Sequence, residues 1–422
     1  MDVRLTEFTV HGLYGLYTHK VDFNRAENLS ILHGPNGVGK TAFLKCIRYT
    51  FTKSFDELLK ITFDTITLSL SNGDSFVLNK ILSVDNDDET ENIKLDIHLF
   101  QGSTHYVKTY THREKSDWFW MKSSLKTRHM FGIDTDTENE ARDSERKIAN
   151  AAIDKSLSSV SVRFIETNRL FRTTAQQEDG EKDIVILTVQ ECADDLVTHI
   201  STALRNYGTR SQILDQSFPR RFLSDKTKQL NAEELKLRLA GLEKKLKNLR
   251  DINLLDAEAL SPIDLGSLDS VEQSKIDVLS LYVRDSEKKL STFDAFAARV
   301  QLLLESLKLK FRNKQVYLSR DRGLYVRLDS GDEIALEALS SGEQHELVLM
   351  YELLFKVPAG ALVLIDEPEL SLHVSWQKAF LPELISIAKE AQFSALVATH
   401  SPFIVGDRWD LMVALDAEAH DE

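Results

Sequence analysis

Apolar and polar positions change period several times along this chain, and each change marks an element. Near the N-terminus, the run from Arg4 to Val10 alternates as a strand and Gly12 and Gly15 mark a turn. Lys20 to Phe23 reads as a second strand, and the short apolar run from Leu29 leads into a glycine loop at Gly34. Thr41 to Phe51 then adopts helical spacing through Phe43, Ile47 and Phe51. Residues 61–112 read as all-β, with alternation on both sides of Asn72-Gly73, the strongest short hairpin signal, and a further turn at Gln101-Gly102. The acidic, aperiodic stretch 134–145 predicts a surface loop, and Ser159 to Glu166 predicts another strand.

A helical region follows. Leu235, Leu239, Leu242, Leu246 and Leu249 are spaced as on a coiled-coil seam, and Leu290, Phe293, Val300, Leu304 and Leu307 place a similar stripe on a second helix. The turn-rich segment 260–270 links them, so two long helices packed back on each other are expected within a compact helical lobe. From about residue 314 the pattern returns to strands, then runs helix, buried strand (Leu362 to Asp366), helix, buried strand (Ser394 to His400). Apolar runs flanked by helices mark parallel strands covered on both faces. The fold class is therefore α/β, a mixed or parallel sheet with flanking helices, an antiparallel β-subdomain and a helical insertion. The expected division is 1–168 (N-terminal lobe), 169–313 (helical insertion) and 314–422 (C-terminal lobe).

Composition narrows the class of protein. With 422 residues the chain can bury a large core, and no apolar run approaches the roughly 20 residues that span a bilayer. The N-terminus lacks the basic and apolar regions of a secretory signal. The only two cysteines, Cys46 and Cys192, lie far apart without metal spacing, as expected for buried free thiols in a reducing cytoplasm. A net charge of -14 argues against a surface that binds nucleic acid everywhere. Residues 201–250 run against that trend, with twelve Lys or Arg against five acids. This stretch is either a solvated helical face or a surface for DNA, RNA or an acidic partner.

Four motifs carry chemistry. Gly34-Pro35-Asn36-Gly37-Val38-Gly39-Lys40-Thr41 is a complete Walker A loop between a strand and a helix. Its glycines allow backbone N–H groups to cradle phosphate oxygens, Lys40 is placed to reach the β- and γ-phosphates, and the Thr41 hydroxyl to ligate Mg²⁺. Leu362-Val-Leu-Ile-Asp366-Glu367 is a Walker B strand that delivers Asp366 to the metal, directly or through water, and Glu367 to the attacking water. About 25 residues before it stands Leu339-Ser340-Ser341-Gly342-Glu343-Gln344, a serine and glycine amides opening a helix, which is an anion site in outline. The fourth motif is Thr399-His400-Ser401-Pro402, at the end of an apolar strand.

With the third motif the chain resembles the ABC ATPase superfamily, in the LSGGE form of its SMC-like and RecF-like branch. The resemblance implies that Ser340, Ser341, Gly342 and Glu343 meet the γ-phosphate held by an opposite subunit, so that ATP joins two heads in a homodimer. Ser341 replaces the usual first glycine and narrows the room for that phosphate. The resemblance also makes His400 the switch histidine, acting on the γ-phosphate or the attacking water beside Glu367, and makes Pro368 to Gln377 the D-loop region, with His373 interfacial. Phe164-Ile-Glu166-Thr-Asn168-Arg-Leu170 is similar to the Q-loop segment of related ATPases, with Asn168 one methylene shorter than the usual glutamine. Gln101 is an alternative for that role. Tyr14 and Tyr17 are candidates to stack on adenine, or are ordinary core or surface tyrosines.

Leu339 to Phe403 looks like the stand-alone bacterial AAA-labelled, ABC-type ATPases of the SMC-like class, with the Septu-type defence ATPase the nearest system. The resemblance implies a Mg-ATP-dependent cytoplasmic ATPase that gates a separately encoded effector nuclease, of HNH type, in anti-phage defence. The other reading is an SMC- or RecF-like repair ATPase acting on DNA itself, and a transporter subunit fits the long insert poorly. About 20 residues follow His400, too few for an appended Toprim nuclease, so no nuclease activity is expected of this chain.

Overall fold

The computed structural model describes residues 3–23, 27–84, 91–112, 136–166, 171–174, 184–224, 230–256 and 273–415. By contacts the chain forms two compact units, one from Met1–Thr167 with Val357–Glu422 and the other from Asn168–Lys356. The segment from residue 314 to 356, expected with the C-terminal lobe, clusters with the helical insertion, because its strands and signature helix pack on insertion helices.

The first unit holds two sheets. β1 (Leu5–Leu13), β2 (Tyr17–Asp22), β4 (Thr65–Leu70), β5 (Ser75–Val84), β6 (Glu91–Gln101) and β7 (Thr104–His112) form an antiparallel sheet in the order β2-β1-β4-β5-β6-β7. The β4–β5 hairpin turns at Asn72-Gly73, where Gly73 has a φ of 89°. β3 (Leu29–His33), β8 (Val162–Ile165), β14 (Leu362–Asp366), β15 (Ser394–Ala398) and β16 (Met412–Ala414) form a parallel sheet in the order β16-β3-β15-β14-β8. β4 alternates between buried and half-buried positions, while every residue of β14 is buried, as expected of a half-covered antiparallel sheet and a fully covered parallel one.

Helix α1 (Lys40–Phe51) lies between the two sheets. Phe43, Leu44, Ile47 and Phe51 join one core cluster with Phe8, Ile66 and Leu68 of the antiparallel sheet and Leu32, Leu364 and Leu396 of the parallel sheet. Cys46 is buried on the same helix, and desolvation pushes its thiol up to about 12, so it is an inert thiol. The short α2 (Phe55–Leu59) and α3 (Asp136–Ser158) complete the front of this unit. α3 corrects the sequence reading, which took 134–145 for a loop. Residues 136–145 open a helix, and Glu, Ala and Arg, frequent in this stretch, are good helix formers. α9 (Val374–Ala391) and α10 (Pro402–Val405) follow β14 and β15.

The second unit contains β9 (Phe171–Thr174) paired with β10 (Ile184–Leu187), then α4 (Thr188–Ser224), α5 (Ala232–Asp251), α6 (Gln273–Leu290) and α7 (Asp294–Lys310). β11 (Lys314–Ser319), β12 (Gly323–Leu328) and β13 (Glu333–Ile334) form a small antiparallel sheet before α8 (Ser341–Tyr351), which continues into a π-helical turn over Glu352–Lys356. The leucine seam on α5 is buried as expected and packs through Leu235 and Leu239 on Ile276 and Val283 of α6. The second stripe is not one helix. It breaks at Ser291–Phe293 into a 3₁₀ turn, where Ser291 and Thr292 hydroxyls donate to the Lys288 and Lys289 carbonyls at 2.9 and 2.7 Å. Leu290 therefore ends α6, and α7 buries Val300, Leu303 and Leu307, with Leu304 only half-buried. The segment 260–270 lies outside the described residues.

Polar groups also tie this unit together. Lys310 of α7 and Glu346 of α8 form an ion pair with side chains 3% and 0% exposed, and Glu346 Oε2 has no hydrogen-bond partner. The Tyr351 hydroxyl donates to Asp195 of α4, which also pairs with Lys356 at 2.8 Å. Cys192 is a buried thiol nearby on α4.

Candidate functional site

β3 is the strand that feeds the glycine loop, and α1 is the helix that leaves it. Gly37 and Gly39 have φ of 86° and 95°, a region open to glycine. At Gly39 a Cβ would also come within 2.7 Å of Leu13 Cδ2, so a side chain is excluded on two counts. Val38, between them, is buried, and its carbonyl accepts a hydrogen bond from His19 Nε2 at 2.6 Å. His19 was not singled out from the sequence. The signal was present, because alternation along Tyr17–Asp22 turns it inward, where it supports the loop from β2.

Lys40 opens α1 and is 5% exposed. Its Nζ donates to the carbonyls of Gly34 and Pro35 at 2.9 and 3.0 Å and to His400 Nδ1 at 3.2 Å. Burial lowers the Lys40 pKa, against the opposing charges of Glu367, Glu369 and Asp366. Thr41 Oγ1 donates to Asp366 Oδ1 at 3.1 Å, joining the start of α1 to the end of β14. Asp366 is 7% exposed, and its pKa is raised by burial first, with the charge of Glu367 adding to it. A divalent cation between the Thr41 hydroxyl and Asp366 would offset that desolvation, and both are hard oxygen donors suited to Mg²⁺.

Glu367 has a φ of 43° and ψ of 57°, a left-handed conformation uncommon for a non-glycine residue and typical of functional turns. Its Oε1 lies 3.7 Å from His400 Nε2. Because the Lys40 ammonium can only donate, His400 Nδ1 accepts, and a neutral ring carries its proton on Nε2, toward Glu367. Burial, then the Lys40 charge, lowers the His400 pKa and favours that neutral form. His400 is placed at the end of β15, whose register with β14 sets Ala398 opposite Asp366.

Asn36, Gly37, Lys40, Thr41, Glu367, Glu369 and His400 line one cavity of about 940 Å³. Tyr14 also lines it, while Tyr17 stacks on His19 at 5.6 Å and is not in the wall. The exposed Leu370 and Val374 stand at the same cavity. His373 caps α9, accepting from Ser375 N at 3.3 Å. Gln101 is not at the cavity: its Nε2 donates to Asp74 at 2.9 Å in the antiparallel sheet, which removes it as a metal-linking residue. Glu166 pairs with Arg48 at 2.7 Å, and Asn168 lies outside the described residues.

In the second unit, Ser340 is the N-cap of α8. Glu343 Oε2 accepts from Ser340 N at 3.0 Å, Ser340 Oγ at 2.8 Å and Lys314 Nζ at 3.0 Å. Burial alone would raise the Glu343 pKa, but the hydrogen bonds from Ser340 and Lys314 outweigh it and lower the pKa. Gln344 Nε2 holds the preceding loop through the Glu337 and Leu339 carbonyls at 2.9 and 3.0 Å. Ser340 and Ser341 are exposed, and Gly342 is half-buried.

Comparison with known proteins bears on the whole assembly. Residues 29–406 match the family described as "AAA domain, putative AbiEii toxin, Type IV TA system". Protein ea59 of Escherichia phage lambda is 30% identical over 120 residues, 28% of this chain and 23% of that protein, so the chain spans about a quarter of that relative's length. Solved structures similar to this chain include the Smc head domain of Pyrococcus furiosus bound to the C-terminal domain of ScpA, at 14% identity, covering 98% of this chain and 93% of that one with a TM-score of 0.38. The SMC head domain from Thermotoga maritima is 12% identical, covering 97% and 94%, with a TM-score of 0.34. Since the matched region runs from β3 through the glycine loop and Walker B strand to the segment after His400, this α/β P-loop ATPase chain belongs to that AAA-domain family.

Proposed function

We propose that this chain binds and hydrolyses Mg-ATP in the cavity between β3, β14 and β15, and that two heads pair around the nucleotide. The observation that carries this reading is the convergence of Lys40, Thr41, Glu367 and His400, from three separate segments of sequence, on one cavity, with Asp366 bonded to Thr41 behind its wall. Bound Mg²⁺ would neutralise phosphate charge and fix the orientation of the terminal phosphate. The chain supplies the rest. Loop N–H groups and the start of α1 hold phosphate oxygens, and Lys40 turns its ammonium from its own loop carbonyls to them. Glu367 Oε1 takes the proton of the attacking water, and neutral His400 donates Nε2–H to hold the carboxylate or the γ-phosphate. Tyr14, at the wall, offers a ring face to the base.

Pairing is supported by the signature helix. Ser340 and Ser341 are exposed at the N-terminus of α8, with Gly342 half-buried beside them, an outline that suits an anion. Ser340→Arg should leave ATP affinity of a single head intact and abolish pairing and turnover. Mixing it with Lys40→Ala should restore some activity, because one of the two composite sites then joins an intact loop to an intact signature. ATPase assays of each variant and of the mixture decide this, and variants as active alone as wild type would exclude shared sites.

Hydrolysis by such a pair acts as a nucleotide-gated scaffold for a separately encoded effector nuclease in defence against phage. The family's description as a toxin of a toxin–antitoxin system, and the match to a phage lambda protein, support a role in conflict between bacteria and phage. The surface that would grip the effector is the basic face of α4 and α5, where Arg205, Arg210, Lys244 and Lys247 are exposed. The same charges favour a second reading, direct action on DNA. On the first reading, pure chain with ATP, Mg²⁺ or Mn²⁺ and several DNA forms turns over ATP and leaves the DNA intact. Cleavage that survives rigorous purification and is lost on mutating a residue outside the ATP cavity would overturn it.

A further inference from the structure

Glu369 has a place in the site that the phosphate-binding and hydrolytic roles do not use. It lies on the 3₁₀ turn Pro368–Ser371, directly after the Walker B strand. One carboxylate oxygen accepts from the His400 backbone N–H at 2.7 Å and the other from the Thr399 hydroxyl at 2.8 Å. The bond from the His400 N–H has the length of a charge-assisted bond. Thr399 is fully buried, and its hydroxyl also accepts from Ser401 N at 2.9 Å, so the loop that carries His400 is pinned at three successive residues. A second tie runs in parallel. Ser401 Oγ donates to Gln377 Oε1 at 2.7 Å, and Gln377 Nε2 donates to the Leu372 carbonyl at 3.1 Å. Gln377 is 8% exposed, so this bridge is shielded from water.

The two ties fasten the turn 368–372 to the loop 399–401. His400 itself has little else to hold its ring, which reaches Lys40 at 3.2 Å and Glu367 at 3.7 Å. A backbone shift at residue 400 would move that ring away from both. The turn presents Leu370 to the outside, 68% exposed, one residue beyond Glu369.

We propose that Glu369 is a positioning residue that holds the loop carrying His400, and so sets the place of that ring against Lys40 and Glu367. The proposal rests on the ATPase reading above. Glu369 also lines the cavity, but both of its carboxylate oxygens are engaged by the loop, and the proposal is that it acts through His400.

Three measurements test it. Glu369→Ala should lower kcat about tenfold to a hundredfold, the size of effect that loss of orientation produces, with ATP affinity within about threefold of wild type. Glu369→Gln should recover most of that loss, because its carbonyl oxygen can still accept from His400 N–H and its amide can donate to the Thr399 hydroxyl. In the nucleotide-free protein, hydrogen exchange of a peptide spanning 399–405 should show the His400 amide about tenfold less protected in Glu369→Ala. Should Glu369→Ala fail to fold by circular dichroism, Thr399→Val removes one of the two bonds and should give the same split on a smaller scale. Wild-type kcat with unchanged exchange would overturn the proposal. Loss of nucleotide affinity as large as that of Lys40→Ala would also overturn it, since Glu369 would then belong to the phosphate site itself. A wild-type chain without ATPase activity would fail the ATPase reading, while the exchange measurement would still decide the tie.

Discussion

Glu367→Gln should bind ATP, keep two heads together and hydrolyse the nucleotide about 10² to 10⁴ times more slowly, the range that a positioned general base contributes. The amide is nearly isosteric with the carboxylate, so the left-handed turn at residue 367 and the bond from Glu367 N to the Ala398 carbonyl at 2.9 Å should survive. What is lost is the ability to take up a proton 3.7 Å from His400 Nε2. Single-turnover hydrolysis and the nucleotide content of the purified variant measure this together. Turnover at the wild-type rate would place the base elsewhere.

Lys40→Ala should weaken ATP binding by more than about a hundredfold if, as proposed, Lys40 is the loop's own cation for the β- and γ-phosphates. The nucleotide-free protein should also change. Removing Nζ leaves the Gly34 and Pro35 carbonyls and His400 Nδ1 without the donor they share, and because Pro35 is exposed and Gly34 and His400 are half-buried, water from the cavity can take its place. The sign of the effect on His400 follows from the same contact. The Lys40 charge helps to hold the His400 pKa low, so the variant's imidazole should protonate at higher pH than that of wild type. Calorimetric titration with ATP and a pH titration of His400 read the two effects separately. Affinity equal to wild type would remove the glycine loop from the nucleotide site.

The site was largely legible in the sequence because its parts are local. A glycine loop needs its residues in an unbroken run between a strand and a helix, and Gly34 to Thr41 provides it. The Walker B carboxylates and His400 each close an apolar strand, and parallel pairing of β14 with β15 brings those two ends together. Less legible were features set by contact between distant residues. Glu369 meets Thr399 and His400 across about thirty residues, and no spacing rule joins them. His19 is one inward position on an edge strand, and only the fold shows that Val38 lies against it. The break between α6 and α7 misled for another reason: the apolar stripe runs through it, while the hydroxyls of Ser291 and Thr292 divert the backbone. At 136–145, acidic composition obscured helix propensity.

The buried pair of Lys310 and Glu346 constrains how this sequence can drift. A substitution at either position alone leaves the other charge without its partner in a dry interior, which costs about 3–5 kcal/mol, enough to remove much of a domain's stability. Replacement of both by apolar side chains of similar volume is far less costly, the more so because Glu346 Oε2 already lacks a hydrogen bond. Positions 310 and 346 should therefore change jointly among relatives, and a Met or Leu at one should accompany an apolar residue at the other.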